Sequence, residues 1–231
     1  MSFSTDTCAE YYLYGSLVHM KRLAGRVQPE ITGAPMRTVR PVMLRGLYAN
    51  PEKELVRMRD RGTLIKIAHG TYVAKPDHIA VDQPWKPPFE EAAMAYATAA
   101  YGDRVPILMG IGAARHWHAI PRAIGVTVIA VPEPHRSIVL DTGGRVVFAV
   151  RRAEPVEAIP VQGDLGMMRV TTVEQTLIDL IRYPDLGGML DQATEAAGQI
   201  VPQIDVGQLQ QLLARQPATV VRKVQAVLKE R

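Results

Sequence analysis

Four groups of residues have the types and spacing to do chemistry. Lys53, Arg57 and Arg61 recur every four positions, so on a helix they make one stripe of positive charge. Such a stripe suits the phosphates and base edges of duplex DNA, since arginine can pair both guanine acceptors at once. It also suits a plain solvated helix face. His116 and His118 flank Trp117 and invite a metal reading. Asp141, Glu154 and Glu157 fall beside strand-like runs, where a nuclease would hold a divalent cation. Gly110-Ile111-Gly112 invites comparison with a phosphate loop.

Three of these four lose force on inspection. Helical metal-binding histidines are spaced four apart, and a spacing of two puts them on different faces. The default is histidines packed beside a tryptophan. The acids need a lysine or second acid close by, yet beyond residue 80 the lysines are Lys86, Lys223 and Lys229, none near them in sequence. The glycine pair lacks the lysine and third glycine of a phosphate loop. Ser4, Ser16 and Ser137 lack the context of an activated nucleophile. Asp179, inside an apolar run, reads as a structural hydrogen-bonding residue. The expectation is no catalytic residue, no metal, no cofactor and no enzymatic activity.

The basic stripe needs a helix to carry it. Asn50 offers a cap, Pro51 fits the first helical position, and Glu52 and Glu54 complement the positive end of the dipole. Leu55 and Met58 fall on the opposite side and can face a core. Gly62 then stops the helix. Leu64 to Ile67 and Thr71 to Val73 are β-prone, and His69-Gly70 supplies a tight turn. A basic helix running into a β-hairpin is the recognition-helix-and-wing layout of a winged helix-turn-helix. Within it Arg57 or Arg61 is expected to read a base. Arg40, Arg45, Lys66 and His69 are expected to hold phosphates from the first helix and the wing, and Arg59 completes the DNA-facing set. Two half-sites would call for self-association on DNA.

Charge supports that placement. Residues 1–80 hold 12 Lys and Arg against 7 Asp and Glu, whereas residues 81–231 hold 15 against 16. The net +4 therefore comes from the N-terminal third, which hints at nucleic acid or another anionic surface. At 231 residues, 47% hydrophobic and 22% charged, the chain suits two modest domains. They are expected at 1–80 and 89–231, joined by a proline-rich linker at 81–88. One cysteine, Cys8, excludes an internal disulfide framework. No apolar run reaches the roughly 18 to 20 residues of a membrane span. Met1 to Asp6 lacks the start of a signal peptide. A cytoplasmic location without membrane contact is expected.

The coarse order of elements is α+β. A helix is expected over 7–24, a loop over 25–36, a short strand over 36–39 and a short helix over 41–48. The second domain opens with an alanine-rich helix over 89–101. Strands are expected at 105–109, 126–131, 137–140, 145–150, 156–161 and 167–170. Thr171, with Glu174 three residues on, suggests a capping box for a helix reaching Ile181. Further helices are expected near 189–197, 206–215 and 218–229.

Three stretches resemble the AbiEi-type antitoxin family. Leu64-Ile65-Lys66-Ile67-Ala68-His69-Gly70-Thr71-Tyr72-Val73 is similar to the wing that ends its winged helix. Gly110 to Ile120 stands where that family has a small-residue helix start, with His118-Ala119-Ile120 in place of His-Gly-Leu. Val170-Thr171-Thr172-Val173-Glu174-Gln175-Thr176-Leu177-Ile178-Asp179-Leu180 is similar to its "Val-Thr-x-x-x-x-Thr-Leu-x-Asp-Leu" helix. The resemblance covers roughly 37–185. It implies an N-terminal winged helix-turn-helix followed by a mixed α/β antitoxin domain with C-terminal helices. It further implies a type IV toxin–antitoxin pair of the kind tied to phage abortive infection. The antitoxin would repress its own operon at promoter inverted repeats and counteract a nucleotidyltransferase-like toxin, directly or functionally. The alternatives left open are a metal-dependent nuclease-like second domain, a non-antitoxin regulator and a module that binds protein.

Overall fold

Asn50 starts the first long helix. Its Oδ1 accepts a hydrogen bond from the Lys53 backbone N–H at 3.0 Å, with Pro51 at the first helical position. A computed structural model describes residues 29–151 and 156–229. The helix expected over 7–24 lies outside them, as does Glu154. In chain order, a single turn α1 (Pro29–Thr32) and a 3-10 turn (Pro35–Arg37) precede β1 (Thr38–Val39). A second 3-10 turn (Pro41–Leu44) leads to α2 (Pro51–Asp60), β2 (Leu64–Ala68) and β3 (Thr71–Ala74). Gly70, with φ +64°, makes the two-residue turn between β2 and β3. All three strands pair antiparallel in the order β1-β3-β2, with a bulge between Lys66 and Ala68.

Here the sequence expectations shift in detail. The loop expected over 25–36 contains α1, whose Ile31 is buried against Leu44 and Leu55. The strand expected over 36–39 shrinks to two residues, because Met36 and Arg37 take positive φ, 52° and 51°. Arg37 holds that conformation by donating to Lys75 O at 2.7 Å and to Asp77 at 2.9 Å. The helix expected over 41–48 ends at Leu44, short of Gly46 with its φ of +97°.

The larger sheet has six strands. They are β4 (Ile107–Met109), β5 (Val126–Val131), β6 (Ile138–Val139), β7 (Arg145–Val150), β8 (Ala158–Gln162) and β9 (Met167–Thr171). Their order is β6-β7-β5-β4-β9-β8. Pairs β5–β7 and β4–β9 are parallel and the rest antiparallel. Both faces are covered, so the central strands are apolar on both sides of the pleat. Met109, Val128 and Ala130 point to one face, while Leu108, Ile129 and Val131 point to the other.

The first face carries α4 (Gly110–His116), α5 (Val173–Arg182), α6 (Leu190–Gln199), α7 (Val206–Leu213) and α8 (Ala218–Lys229). Gly112 lets α4 sit close, since a Cβ there would meet Leu108 Cδ1 at 2.8 Å. The second face carries α3 (Phe89–Tyr101). Ala92, Ala93, Ala95 and Ala97 are fully buried on it. Ile67, Ala68 and Val73 from the smaller sheet, and Met36 from the 3-10 turn before it, join the same apolar cluster. One alanine-rich helix is therefore packed against both sheets, and short side chains are what allow that closeness. The 81–88 segment holds no helix or strand, and half-buried Trp85 packs onto this cluster.

The cap of α5 is one residue later than the sequence suggests. Thr172 Oγ1 accepts from Gln175 N at 3.2 Å. Thr171 instead bonds Thr176 Oγ1 at 2.8 Å. Glu174 reaches forward to accept from Asp205 N at 2.9 Å, so no capping box closes. Among the described residues, no helix is long and apolar enough to cross a membrane.

Candidate nucleic-acid interface

Helix α2 is two-sided. Leu55 and Met58 are buried with Leu64, Tyr72 and Ala74, which contributes about 2–3 kcal/mol per side chain. Lys53, Arg57 and Arg61 are exposed on the remaining surface. Packing thus fixes which side of α2 meets solvent, and that side presents Lys53, Arg57 and Arg59, with Arg61 at the cap, alongside exposed Glu52 and Asp60.

The eight basic side chains expected to face DNA are not equivalent. Arg45, Lys53, Arg61 and His69 are exposed and make no ion pair among the described residues. Arg57 pairs with Glu54 one turn back at 3.2 Å and stays 57% exposed. Arg59 bonds Asp60 at 2.7 Å, and that hydrogen bond and charge hold its guanidinium above the ordinary value. Arg40 is half-buried and turns away, with Nη1 donating to Ala99 O at 3.4 Å in the last turn of α3. A cation suits that negative helix end. Lys66 reaches Asp141 Oδ2 at 2.8 Å, in the turn between β6 and β7. Arg45, Lys53, Arg61 and His69 are therefore open to a ligand, exposed Arg57 and Arg59 are each paired with an acid of their own helix, and Arg40 and Lys66 are engaged across the fold.

The Lys66–Asp141 contact corrects one inference. No lysine beyond residue 80 is near Asp141 in sequence, but the hairpin brings one to it. The same turn is held by its backbone: Asp141 N donates to Ile67 O at 2.8 Å, along the outer edge of β2. Nothing local in either stretch signals this pairing, because 75 positions separate the partners.

The other constellations resolve into structure. The His116 ring meets Trp117 edge-on at 4.8 Å. Trp117 Nε1 donates to Thr171 O at 2.9 Å. Burial, then the neighbouring His118, lowers the His116 pKa from its ordinary value. Arg115 binds Glu90 at 2.5 Å beside them. Glu91 is buried, and burial pushes its carboxyl up while the Leu165 N–H donates to it at 2.9 Å. Exposed Glu157 offers its backbone oxygen to Thr172 N at 3.1 Å. Among the described residues, no three His, Cys, Asp or Glu side chains cluster as a metal site would need.

Asp179 is a buried hydrogen-bonding residue. Its Oδ1 accepts from Arg151 Nη2 at 2.5 Å and from Gln175 Nε2 at 3.0 Å. The Arg151 guanidinium also stacks over Tyr183, 4.8 Å from the ring centre.

These elements define an α+β protein: a three-stranded sheet with a basic helix, packed through one buried helix onto a six-stranded mixed sheet. A crystal structure of the RV2827C protein from Mycobacterium tuberculosis is similar, with a TM-score of 0.56 over 83% of this chain and 71% of that one. The two sequences are 17% identical, so the likeness is one of fold. No protein-family model matches the chain, and no curated protein matches it significantly.

Proposed function

We propose that this chain is a DNA-binding antitoxin that represses its own operon. Helix α2 is its recognition helix and the β2–β3 hairpin its wing, together forming a winged helix-turn-helix. The observation that carries the proposal is the two-sided α2: Leu55 and Met58 buried, Lys53, Arg57 and Arg61 exposed, with the hairpin directly after. A helix presenting arginine along one open stripe, beside a hairpin, suits the major groove. Arg57 and Arg61 read bases, and Arg45, Lys53 and His69 hold phosphates from the edge of the same surface.

The antitoxin half rests on the resemblance of Leu64–Val73, Gly110–Ile120 and Val170–Leu180 to the AbiEi-type family. On that reading the six-stranded sheet and its helices counteract a nucleotidyltransferase-like toxin in the cytoplasm.

Two measurements test it. In a mobility-shift titration, DNA from directly upstream of the reading frame is retarded by the wild type and binding weakens as salt rises. Wild-type affinity in both Arg57→Ala and Arg61→Ala would remove α2 from the groove. Co-expression with the product of the adjacent reading frame restores growth if that product is the toxin. Absence of a toxic neighbour would leave a regulator without an antitoxin role.

A further inference from the structure

The Lys66–Asp141 pair joins the hairpin to the six-stranded sheet. It consists of one side chain expected to touch phosphate and one carboxylate in its way. The two side chains are 33% and 43% exposed, so the pair lies at the surface and a ligand can reach it. Backbone bonding from Asp141 N to Ile67 O fixes the carboxylate beside β2 independently of the ion pair. Lys86 hangs over the same turn, its Nζ 3.8 Å from where a Cβ on Gly143 would stand. Duplex DNA lying along α2 and the hairpin would meet Lys66 with its acid partner at this turn, and Lys86 stands by the same turn.

We propose that Asp141 is a built-in competitor for DNA phosphate at Lys66. In the free protein the carboxylate occupies the lysine. On DNA a phosphate takes its place, and the lysine's ion pair with Asp141 must be given up. The carboxylate therefore lowers affinity for any duplex, whatever its sequence, and leaves discrimination to α2. This rests on the DNA-binding reading above.

The test is a salt titration of binding to a mixed-sequence duplex of about 30 base pairs, in a two-by-two set: wild type, Asp141→Asn, Lys66→Ala and both. Asparagine keeps the backbone bond to Ile67, and Asp141→Ser serves as a second removal of the charge. The expected result is tighter binding by Asp141→Asn, about 2- to 5-fold at low salt, with a steeper salt slope. In the Lys66→Ala background, Asp141→Asn should change affinity much less. Two outcomes overturn the proposal while leaving DNA binding intact: Asp141→Asn binding like wild type, or tightening equally with and without Lys66. The second would mean a general charge effect. If no variant binds any duplex, upstream DNA included, the DNA-binding reading falls and this inference with it.

Discussion

Arg151 Nη2 lies 2.5 Å from Asp179 Oδ1, with 8% of one side chain and none of the other reaching solvent. The pair ties the region just after β7 to the middle of α5, and so one end of the six-stranded sheet to its helical layer. Gln175, one turn earlier on α5, donates to the same oxygen, and the second carboxylate oxygen, Oδ2, is buried without a hydrogen-bond partner among the described residues. Burying two charges is costly, and such a pair is worth keeping only while both partners remain.

Removing one partner should therefore be severe. Asp179→Ala leaves the Arg151 guanidinium without its buried counter-charge and should cost about 3–5 kcal/mol in urea unfolding. A double variant, Arg151→Met with Asp179→Leu, should cost much less than the two single changes summed. Equal costs would mean that the pair itself contributes little.

The same carboxyl makes stability depend on pH. Burial pushes Asp179 from its ordinary 3.8 up to about 6, while Arg151 and the bond from Gln175 act in the opposite direction. An acid whose pKa rises on folding binds its proton more readily in the folded state between those two values. Its contribution is thus full below the lower value and is lost as pH rises through the upper one. Raising pH from 4 to 7 should remove on the order of 2 kcal/mol through this group. The check is to compare wild type with Asp179→Asn, in which this component should vanish. Burial raises Glu91 as well and lowers His116, and both persist in the variant.

Gly144 should tolerate no side chain. It sits at φ +87°, and a Cβ there would run into the Phe89 ring at the start of α3. Gly144→Ala should destabilise by more than about 2 kcal/mol, combining backbone strain with overpacking. A thermal melt reads this directly, and an unchanged midpoint would show that Phe89 moves aside freely.

At the proposed operator, Arg57→Ala should cost about 1–3 kcal/mol, and Lys53→Ala should weaken binding evenly across sequences while flattening the salt slope by about one. Arg40→Ala should leave DNA binding nearly unchanged, because Arg40 already donates to Ala99 O. A large loss for Arg40→Ala with the fold intact would mean that the arginine swings out on DNA.

Much of this fold is written locally. The Asn50 cap with Pro51, the His69-Gly70 turn and the apolar run Val126–Val131 each announce an element, and each element forms there. What fails is what depends on distant partners. Thr171 and Thr172 are equally good caps in isolation, but Thr171 is held as the last residue of β9, paired with Ala158, so Thr172 becomes the cap. The left-handed turn at Met36-Arg37 depends on Lys75 and Asp77. In the candidate site, the spacing of Lys53, Arg57 and Arg61 is legible from the chain alone. The engagement of Lys66 by Asp141 and of Arg40 by Ala99 is not, because only tertiary packing brings those atoms together.

The buried alanine helix α3 has a thermodynamic consequence. Its buried alanines share one apolar cluster with both sheets, so neither sheet can come apart without exposing a face of the other's support. The described chain should melt in one transition, with amides of the two sheets exchanging through the same global opening. Whatever binds one end then stabilises the other by mass action. A protein gripping the C-terminal helices would be felt at the β2–β3 hairpin without ever touching it.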